Sequence, residues 1–347
     1  CIRRAGFEMK FNSQNDDVLL DVKDIKIQGF SDEKWHDIVK GVNLTLRRGE
    51  VMGLIGESGA GKSTLGLAAM GYTQPGCRII GGEVNFDGTD LAQLSDVEKR
   101  SYWGNRMTYV AQSAAASFNP AHRLIEQTTA STIRAGIKTK SEAYSDAQSL
   151  YDALNLPDPN NIGIRYPHQV SGGQLQRVMT AMAMSPRPDL IVFDEPTTAL
   201  DVTTQVEVLS SMRAIVEEFN TAAIYITHDL AVVAQMADVI KVLRFGEEVE
   251  EAATRQMLSH PKEAYTKSLW SVRTLEKPVR APANSVLSLT GIDAAYGRTK
   301  VLNQVNIEVP KGSTVAVVGE SGSGKSTTAR VITRLLPQSA GSLKFEG

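Results

Sequence analysis

A nine-residue glycine-rich segment that occurs twice constrains the fold of this chain more than any other feature. Residues 56–64 read GESGAGKST and residues 319–327 read GESGSGKST. Their lysines, Lys62 and Lys325, lie 263 positions apart, and the VNL of 42–44 returns as VNI at the same offset. A repeat of this length indicates a duplicated domain rather than a solenoid of short units.

The repeat divides the 347 residues into two domains of unequal length. We predict an N-terminal tail (1–15), a first domain (16–272), a linker rich in Pro, Ala and charged residues (273–284), and the N-terminal part of a second domain (285–347). The chain begins at Cys1 and stops within the repeated pattern, so we expect both ends to be boundaries of a fragment.

Composition argues against several classes of protein. The net charge is −2, from 37 basic and 39 acidic residues, whereas a nucleic-acid-binding protein usually has a basic excess. Two cysteines, Cys1 and Cys77, are too few for a disulfide framework or a four-cysteine metal site, and they suit a reducing cytoplasm. No apolar run approaches the roughly 18 residues of a membrane-spanning helix.

Apolar runs that end in polar residues predict a buried sheet with its ligand groups at the strand ends. We predict strands over 19–27 and 42–46 in an opening antiparallel region, and core strands over 51–55, 190–193 and 222–227. Helices are predicted to begin at Lys62 and to cover 141–154 and 174–184. Ligands of such sheets bind at the carboxyl ends of the strands.

The first glycine-rich segment fits the phosphate-loop pattern G-x-x-x-x-G-K-[ST] between an apolar strand and a helix. Gly59 and Gly61 would let backbone N–H groups approach phosphates, and the helix would direct its positive dipole end at them. Lys62 would reach the β- and γ-phosphates, and Ser63 would ligate Mg²⁺. A glycine-rich turn that fits by chance is the alternative, and the flanks and the second copy argue against it. The predicted nucleotide-binding residues of the two loops are Gly56, Glu57, Ser58, Gly59, Ala60, Gly61, Lys62, Ser63, Thr64, Gly319, Glu320, Ser321, Gly322, Ser323, Gly324, Lys325, Ser326 and Thr327.

Two carboxylates end the core strand at 190–193. We predict that Asp194 holds Mg²⁺, directly or through water, and that Glu195 is the general base that polarises the attacking water. Alternatively, such a pair caps the following helix. The phosphate loop upstream and the following Pro-Thr-Thr favour the catalytic interpretation.

Three further segments are ambiguous by themselves. Residues 171–174, SGGQ, precede a helical run and would form either a second anion-binding helix terminus or an ordinary helix cap. His228 follows a core strand, where a lone histidine is more often structural than catalytic. Gln112 follows the apolar residues 107–111 and is uninformative alone.

In this order, these segments resemble the ATP-binding-cassette ATPases. The resemblance assigns Gln112 to the Q-loop, 170–174 to the signature (with Val170 in place of the usual Leu), 199–201 to the D-loop, and His228 to the switch position. It implies an α/β P-loop NTPase fold, namely a RecA-like core with an antiparallel β-subdomain and a helical signature subdomain at about 116–185.

The resemblance also implies how such domains work. Two cassettes pack head to tail, and each ATP lies between the phosphate loop of one and the signature of the other. His228 would then stabilise the γ-phosphate in the transition state, so Lys62, Glu195 and His228 are the predicted catalytic residues. An aromatic residue usually stacks on adenine: Tyr296 fits in the second unit, and either Phe30 or Trp35 in the first. The remaining implied ATP contacts are Gln112, Ser171, Gly172, Gly173, Gln174 and Asp201, and the implied Mg²⁺ ligands are Ser63, Gln112, Asp194 and Ser326.

Further segments resemble the dipeptide/oligopeptide/nickel importer branch of this family. They include SFNP at 117–120, DEPTTALDV at 194–202, and HPKEAYTKSL at 260–269, which resembles the tail motif H-P-x-H-P-Y-T-x-x-L with Glu-Ala for its second His-Pro. Some members hold an iron–sulfur cluster on several tail cysteines, and with two cysteines we expect none here.

The branch resemblance implies a tandem ATPase that powers import of peptides or similar small solutes, with nickel, opines and sugars as alternatives. The implied partners are ATP, transmembrane permease subunits, indirectly a solute-binding protein, and a second cassette in the same full-length chain or a homodimer. The implied location is peripheral, on the cytoplasmic face of the inner (plasma) membrane. The residues present would complete one composite site, at Lys325, so we expect weak hydrolysis unless the first unit homodimerises.

Two other readings remain. A soluble tandem cassette that acts on ribosomes or DNA would also lack membrane helices, but the short linker and near-neutral charge argue against it, and we expect no nucleic-acid partner. A degenerate cassette that binds nucleotide without hydrolysis is disfavoured in the first unit, because Lys62, Glu195 and His228 are all present.

Overall fold

The computed structural model describes residues 17–197, 202–271, 284–319 and 322–346. The predicted N-terminal tail, nearly all of the predicted linker, and the predicted site residues Asp201, Glu320 and Ser321 lie outside these ranges. The chain divides into two compact units, Cys1–Leu200 with Glu207–Val272, and Asp201–Val206 with Arg273–Gly347.

The first unit alternates strands with helices after an opening hairpin. In chain order its elements are β1 (Val18–Ser31), β2 (Lys34–Arg47), β3 (Val51–Ile55), α1 (Lys62–Ala69), β4 (Cys77–Phe86), β5 (Thr89–Asp90), α2 (Asp96–Lys99), β6 (Met107–Val110), α3 (Ala114–Ser117), α4 (Leu124–Arg134), α5 (Lys140–Ala153), α6 (Gly172–Met184), β7 (Leu190–Asp194), α7 (Val202–Glu218), β8 (Ala222–Ile226), α8 (Leu230–Met236), β9 (Val239–Arg244), β10 (Glu247–Ala253), α9 (Thr254–Ser259) and α10 (Ala264–Ser271).

A six-stranded sheet in the order β10-β9-β3-β8-β7-β6 forms the centre of this unit. Its strands are parallel except β10, which pairs antiparallel with β9. Every residue of β3, β7 and β8 is buried, which explains why these strands read as unbroken apolar runs. Burying each large aliphatic side chain contributes about 1.5–3 kcal/mol, so these short strands fix the position of everything attached to their ends.

The two faces of the central sheet belong to two different cores. On one face, Met52, Leu54 and Val192 pack with the residues of an antiparallel sheet in the order β2-β1-β4-β5. On the other face, Ile191 and Phe193 pack with the helical region α3–α6 and with α7. Alternate residues of β7 therefore pack against different layers, the antiparallel sheet on one face of the central sheet and the helices on the other.

The opening hairpin is longer than its sequence predicts. β1 and β2 continue beyond the predicted 19–27 and 42–46 as far as a turn at Asp32 and Glu33, whose φ angles are +48° and +61°. Two positive φ angles are typical of the type I′ hairpin turn. Most side chains near this tip are exposed, so the alternation of apolar and polar residues that marks a half-buried strand is missing there.

Helices α5 and α6 begin slightly earlier than predicted because each has a capping box. The hydroxyl of Thr139 accepts from the N–H of Glu142, and the Glu142 carboxylate accepts from the N–H of Thr139. Ser171 and Gln174 make the same reciprocal pair at the start of α6. Two otherwise unpaired donors are satisfied at each terminus, which fixes where the helix begins.

Within residues 284–319 and 322–346, the second unit has a three-stranded antiparallel sheet and one helix. Its elements are β11 (Ser285–Tyr296), β12 (Thr299–Pro310), α11 (Lys325–Ile332) and β13 (Ala340–Phe345), with the sheet order β12-β11-β13. A small core forms where Ile292 and Leu302 pack against Val331 of α11. Residues 314–318, a threonine followed by four apolar residues, stand at the position of β3 in the repeat but form no strand among the described residues, and Val318 is 87% exposed.

In the first unit β3 is hydrogen-bonded between β8 and β9, which follow it by more than 160 residues. Among the described residues of the second unit, the run at 314–318 is not paired with another strand. None of the described helices is both long enough and apolar enough to cross a bilayer.

Candidate nucleotide site

The phosphate loop joins β3 to α1 at the carboxyl edge of the central sheet, and two of its glycines are sterically required. Gly61 occupies the N-cap of α1 with φ +90°. A Cβ on Gly56 would lie 2.2 Å from the backbone oxygen of Leu243. The loop can therefore hold this shape only where the backbone carries no side chain. Of the predicted loop residues, Glu57, Ser58 and Gly59 are exposed, Ser63 and Thr64 are half-buried, and Gly56, Ala60, Gly61 and Lys62 are buried.

Lys62 turns its ammonium group back over the loop. Its Nζ donates to the backbone oxygens of Gly56 and Glu57, both at 2.8 Å. Burial lowers the pKa of Lys62, and the nearby carboxylates Glu195 and Asp194 oppose that shift. The loop thus encloses a lysine head group beside two carboxylates at the end of β7.

Asp194, the last residue of β7, is held through both carboxylate oxygens. Ser63 Oγ donates to Oδ1 at 2.9 Å, and the Tyr109 hydroxyl donates to Oδ2 at 2.7 Å. The structure therefore brings together Ser63 and Asp194, two of the predicted Mg²⁺ ligands. The sequence does not predict Tyr109 as a site residue, because a tyrosine within an apolar strand is normally interpreted as a buried core residue. Burial and the adjacent Asp194 raise the pKa of its hydroxyl.

The donor set at this point fits Mg²⁺. No cluster of three or more His, Cys, Asp or Glu side chains in the described ranges is arranged to hold a metal ion. A metal bound here would take one hydroxyl and one carboxylate from the protein and its other oxygens from phosphate and water. Mg²⁺ binds in this way, through one or two carboxylates plus substrate phosphates, rather than in an all-protein cage.

Glu195 lies at the centre of a three-residue cluster drawn from the ends of three strands. Its Oε1 is 2.9 Å from Nδ1 of His228, which follows β8, and its Oε2 accepts from Nε2 of Gln112 at 3.3 Å, after β6. Its own N–H donates to the backbone oxygen of Ile226 at 2.9 Å. Gln112 thus contacts the predicted base, and its predicted role as a Mg²⁺ ligand stays a prediction.

The backbone at Glu195 is strained, with φ +46°. Non-glycine residues with positive φ are uncommon, and such strain of order 1–3 kcal/mol collects at functional sites. The neighbouring bonds to Ile226 and His228 hold the residue in this conformation. The geometry directs a carboxylate beyond the end of β7, next to the phosphate loop.

The signature segment lies at the start of α6, in the helical region. Ser171 and Gly172 are exposed, Gln174 is half-buried, and Gly173 is buried. The polar side chains of Ser171 and Gln174 close the capping box, as described for α6. The helix therefore presents an exposed N-terminus with a serine hydroxyl on it, as expected for contact with an anion.

The phosphate loop of the second unit repeats the features of the first. Gly324 caps α11 with φ +95°, and Lys325 Nζ donates to the backbone oxygen of Gly319 at 2.7 Å. Ser326 is exposed and Thr327 is buried. Of the remaining predicted residues of this loop, Gly322 and Ser323 are exposed.

The aromatic residues predicted to stack on adenine differ in their surroundings. Phe30 and Trp35 pair across the tip of the β1–β2 hairpin, with ring centroids 5.2 Å apart. The Arg78 guanidinium lies 3.8 Å from the centroid of the Trp35 ring and covers one of its faces. In the second unit the Tyr296 hydroxyl accepts from Arg330 at 2.8 Å, and that bond lowers the pKa of Tyr296.

The tail motif also reaches this site. Tyr265, in α10, accepts through its hydroxyl from the N–H of Glu57 at 3.2 Å. Leu269 of the same helix lines a cavity of about 150 Å³ together with Gly56, Glu57 and His228. Residues of the tail motif (260–269) therefore place α10 against the phosphate loop. The motif itself does not predict this contact.

Known proteins resemble the chain over almost its whole length. Residues 39–198 and 302–347 match the family model described as ABC transporter. The chain is 34% identical to the glutathione import ATP-binding protein GsiA of Salmonella choleraesuis (strain SC-B67), and 33% identical to that of Escherichia coli O157:H7. Each alignment covers 95% of this chain and 60% of the relative, so the chain spans about three fifths of the length of these relatives.

The fold has a match among solved structures. The dimeric structure of the ATP-binding cassette MJ0796 in a post-hydrolysis state, bound to ADP and Pi, superposes with a TM-score of 0.61 at 26% identity. The match covers 68% of this chain and 99% of that one. Together with the layers described above, it confirms the expected α/β P-loop NTPase fold.

Proposed function

The chain belongs to the ABC transporter family, and from that premise we propose that its first unit binds and hydrolyses ATP to power the import of a small solute. One observation carries the proposal. The carboxyl edge of the central sheet gathers a glycine-rich loop with an enclosed lysine, a hydroxyl–carboxylate pair, and a carboxylate bonded to a histidine. These are the groups that phosphoryl transfer to water requires.

Each group has a task in the proposed reaction. The loop N–H groups and Lys62 bind the β- and γ-phosphates and offset the charge that develops there. Glu195 accepts a proton from the attacking water. His228, whose Nδ1 lies 2.9 Å from the Glu195 carboxylate, stabilises the γ-phosphate in the transition state. The Glu195 carboxylate lies near enough to Lys62 to raise the pKa of that lysine, against the effect of burial. The site thus works by positioning and electrostatics rather than by covalent chemistry.

Mg²⁺ is the cofactor that this donor set fits, held by Ser63 and Asp194, with Gln112 as a further proposed ligand. When bound it would neutralise phosphate charge and orient the γ-phosphate for in-line attack. The protein's contribution is to hold the Ser63 hydroxyl and the Asp194 carboxylate within 2.9 Å of each other. The equivalent hydroxyl in the second unit is that of Ser326.

A partner cassette completes the proposed site. Ser171 and Gly172 are exposed at the N-terminus of α6, where they would meet a γ-phosphate bound to another phosphate loop. That loop belongs to a second cassette, in the same full-length chain or in a second copy. The dimeric state in the description of the MJ0796 structure supports this arrangement.

The remaining partners follow from the relatives. GsiA is named as a glutathione import protein, so we propose that this chain serves an importer for a peptide or a similar small solute, with nickel, opines and sugars as alternatives. Its partners would be membrane permease subunits and, indirectly, a solute-binding protein. The chain would then work as a peripheral protein on the cytoplasmic face of the membrane.

Separate disruption of the two phosphate loops tests the proposal. We expect Lys62→Ala to lower ATP turnover at least 100-fold, because the site beside Lys62 also contains Asp194 and Glu195. Lys325→Ala is the matched control, since it removes the equivalent contact of a loop lysine, to Gly319, in the second unit. The described residues of that unit contain no strand equivalent to β7. We expect Lys325→Ala to lower turnover far less. Turnover that survives Lys62→Ala would rule out the first site as the hydrolytic one.

A further inference from the structure

We propose that Tyr109 is a positioning residue of the metal site, which fixes the carboxylate of Asp194 through Oδ2 while Ser63 holds Oδ1. The inference rests on the proposed function, because it concerns the Mg²⁺ that accompanies ATP. Tyr109 lies in β6, hydrogen-bonded beside β7, and its register partner is Val192, two residues before Asp194. Its side chain and that of Asp194 therefore extend from neighbouring strands on the same face of the sheet.

Both oxygens of the Asp194 carboxylate are engaged, by donors from two different directions. Tyr109 donates to Oδ2 at 2.7 Å, and Ser63 donates to Oδ1 at 2.9 Å. A carboxylate bound through one oxygen can still rotate, whereas one bound through both is fixed. Since Ser63 belongs to α1, which directly follows the phosphate loop, the Tyr109 bond keeps Oδ1 directed at the loop.

The surroundings strengthen this bond. Asp194 is only 8% exposed, and a hydrogen bond to a charged acceptor shielded from water is among the stronger ones in proteins. The phenol ring of Tyr109 itself lies at the wall of an apolar cavity of about 360 Å³, together with Met70, Trp103 and Met182. A phenylalanine ring would fill the same space, so Tyr109→Phe removes the hydroxyl and leaves the packing.

Residues that hydrogen-bond metal ligands influence the metal nearly as much as the ligands do. Their loss typically costs 10- to 100-fold in metal affinity or activity. Without the Tyr109 hydroxyl the Asp194 carboxylate can turn away from Ser63, and binding a metal must then first fix it again. We expect the Tyr109→Phe chain to bind the metal about 10-fold more weakly in the presence of nucleotide. Its affinity for nucleotide in excess EDTA should be unaltered.

The test is a titration of the full chain with Mn²⁺ in the presence of ATP, followed by the electron paramagnetic resonance signal of free Mn²⁺. Tyr151→Phe is the matched control. It removes another buried tyrosine hydroxyl with a 2.7 Å bond, to Thr128 Oγ1 in the helical region. We expect tight Mn²⁺ binding in the wild type and in Tyr151→Phe, and a weakened affinity in Tyr109→Phe alone.

A second readout separates positioning from packing. The Mg²⁺ concentration that half-saturates ATP turnover should rise in Tyr109→Phe, while the rate at saturating Mg²⁺ approaches that of the wild type. Equal Mn²⁺ affinities in Tyr109→Phe and wild type would overturn the positioning role and leave the ATPase assignment standing. A wild-type chain that binds no Mn²⁺ in the presence of ATP would instead overturn the proposed function.

Discussion

The two loop glycines Gly56 and Gly59 make a matched pair for a stability test. A Cβ at Gly56 would collide with the Leu243 carbonyl oxygen at 2.2 Å, whereas nothing lies within 4 Å of a Cβ at Gly59. We expect Gly59→Ala to lower the free energy of unfolding by about 1–2 kcal/mol through its φ of +82° alone. Gly56→Ala should add about 1–3 kcal/mol of overpacking to such a backbone cost. Chemical denaturation without nucleotide measures both, and equal losses would refute the predicted close approach.

Individual residues also show which part of the site the sequence predicts. The motif order predicts Lys62, Ser63, Asp194 and Glu195 as neighbours, because strand ends in a parallel sheet meet at one edge. It does not predict Tyr109, since its hydroxyl reaches Asp194 only through the pairing of β6 with β7. Which strands pair depends on packing between residues about 80 positions apart, and no local pattern encodes it.

At the scale of elements, strand positions in the core were easier to predict than helix and hairpin ends. β3 has the bounds 51–55 predicted for it, because a fully buried strand is an apolar run with polar residues on both sides. The β1–β2 hairpin extends beyond its prediction because its tip is exposed and carries no apolar alternation. The ends of α5 and α6 depend on reciprocal capping by side chains, which a periodicity of apolar residues does not detect.

The two capping boxes provide a matched test of the signature helix. Ser171→Ala and Thr139→Ala each remove a hydroxyl that caps a helix, and each should lower the free energy of unfolding by about 1 kcal/mol. Only Ser171 lies on the helix proposed to meet a γ-phosphate, so Ser171→Ala alone should lower ATP turnover, by about 10-fold or more. Parallel unfolding and turnover measurements separate the effects. Equal turnover in the two variants would show that Ser171 acts only as a cap.

At the scale of the whole molecule, the described residues of the two units share their opening elements. Both have a hairpin, a phosphate loop and a following helix, as the repeat predicts. The first unit surrounds β3 with strands that arrive much later in the chain, and its loop stands at the edge of a six-stranded sheet. The second unit's equivalent residues 314–318 form no strand in the described region, although they are just as apolar. A buried strand needs partner strands as well as an apolar sequence.

The rate of ATP hydrolysis by the chain and by its Glu195→Gln variant tests the central claim most directly. The substitution keeps the size of the side chain but removes the carboxylate that would accept the proton from water. We predict that turnover falls about 10²- to 10⁴-fold, the usual contribution of a general base, while ATP still binds because the phosphate loop is unaltered. A variant that hydrolyses ATP at the wild-type rate would contradict both the assignment of Glu195 and the hydrolytic site built around it.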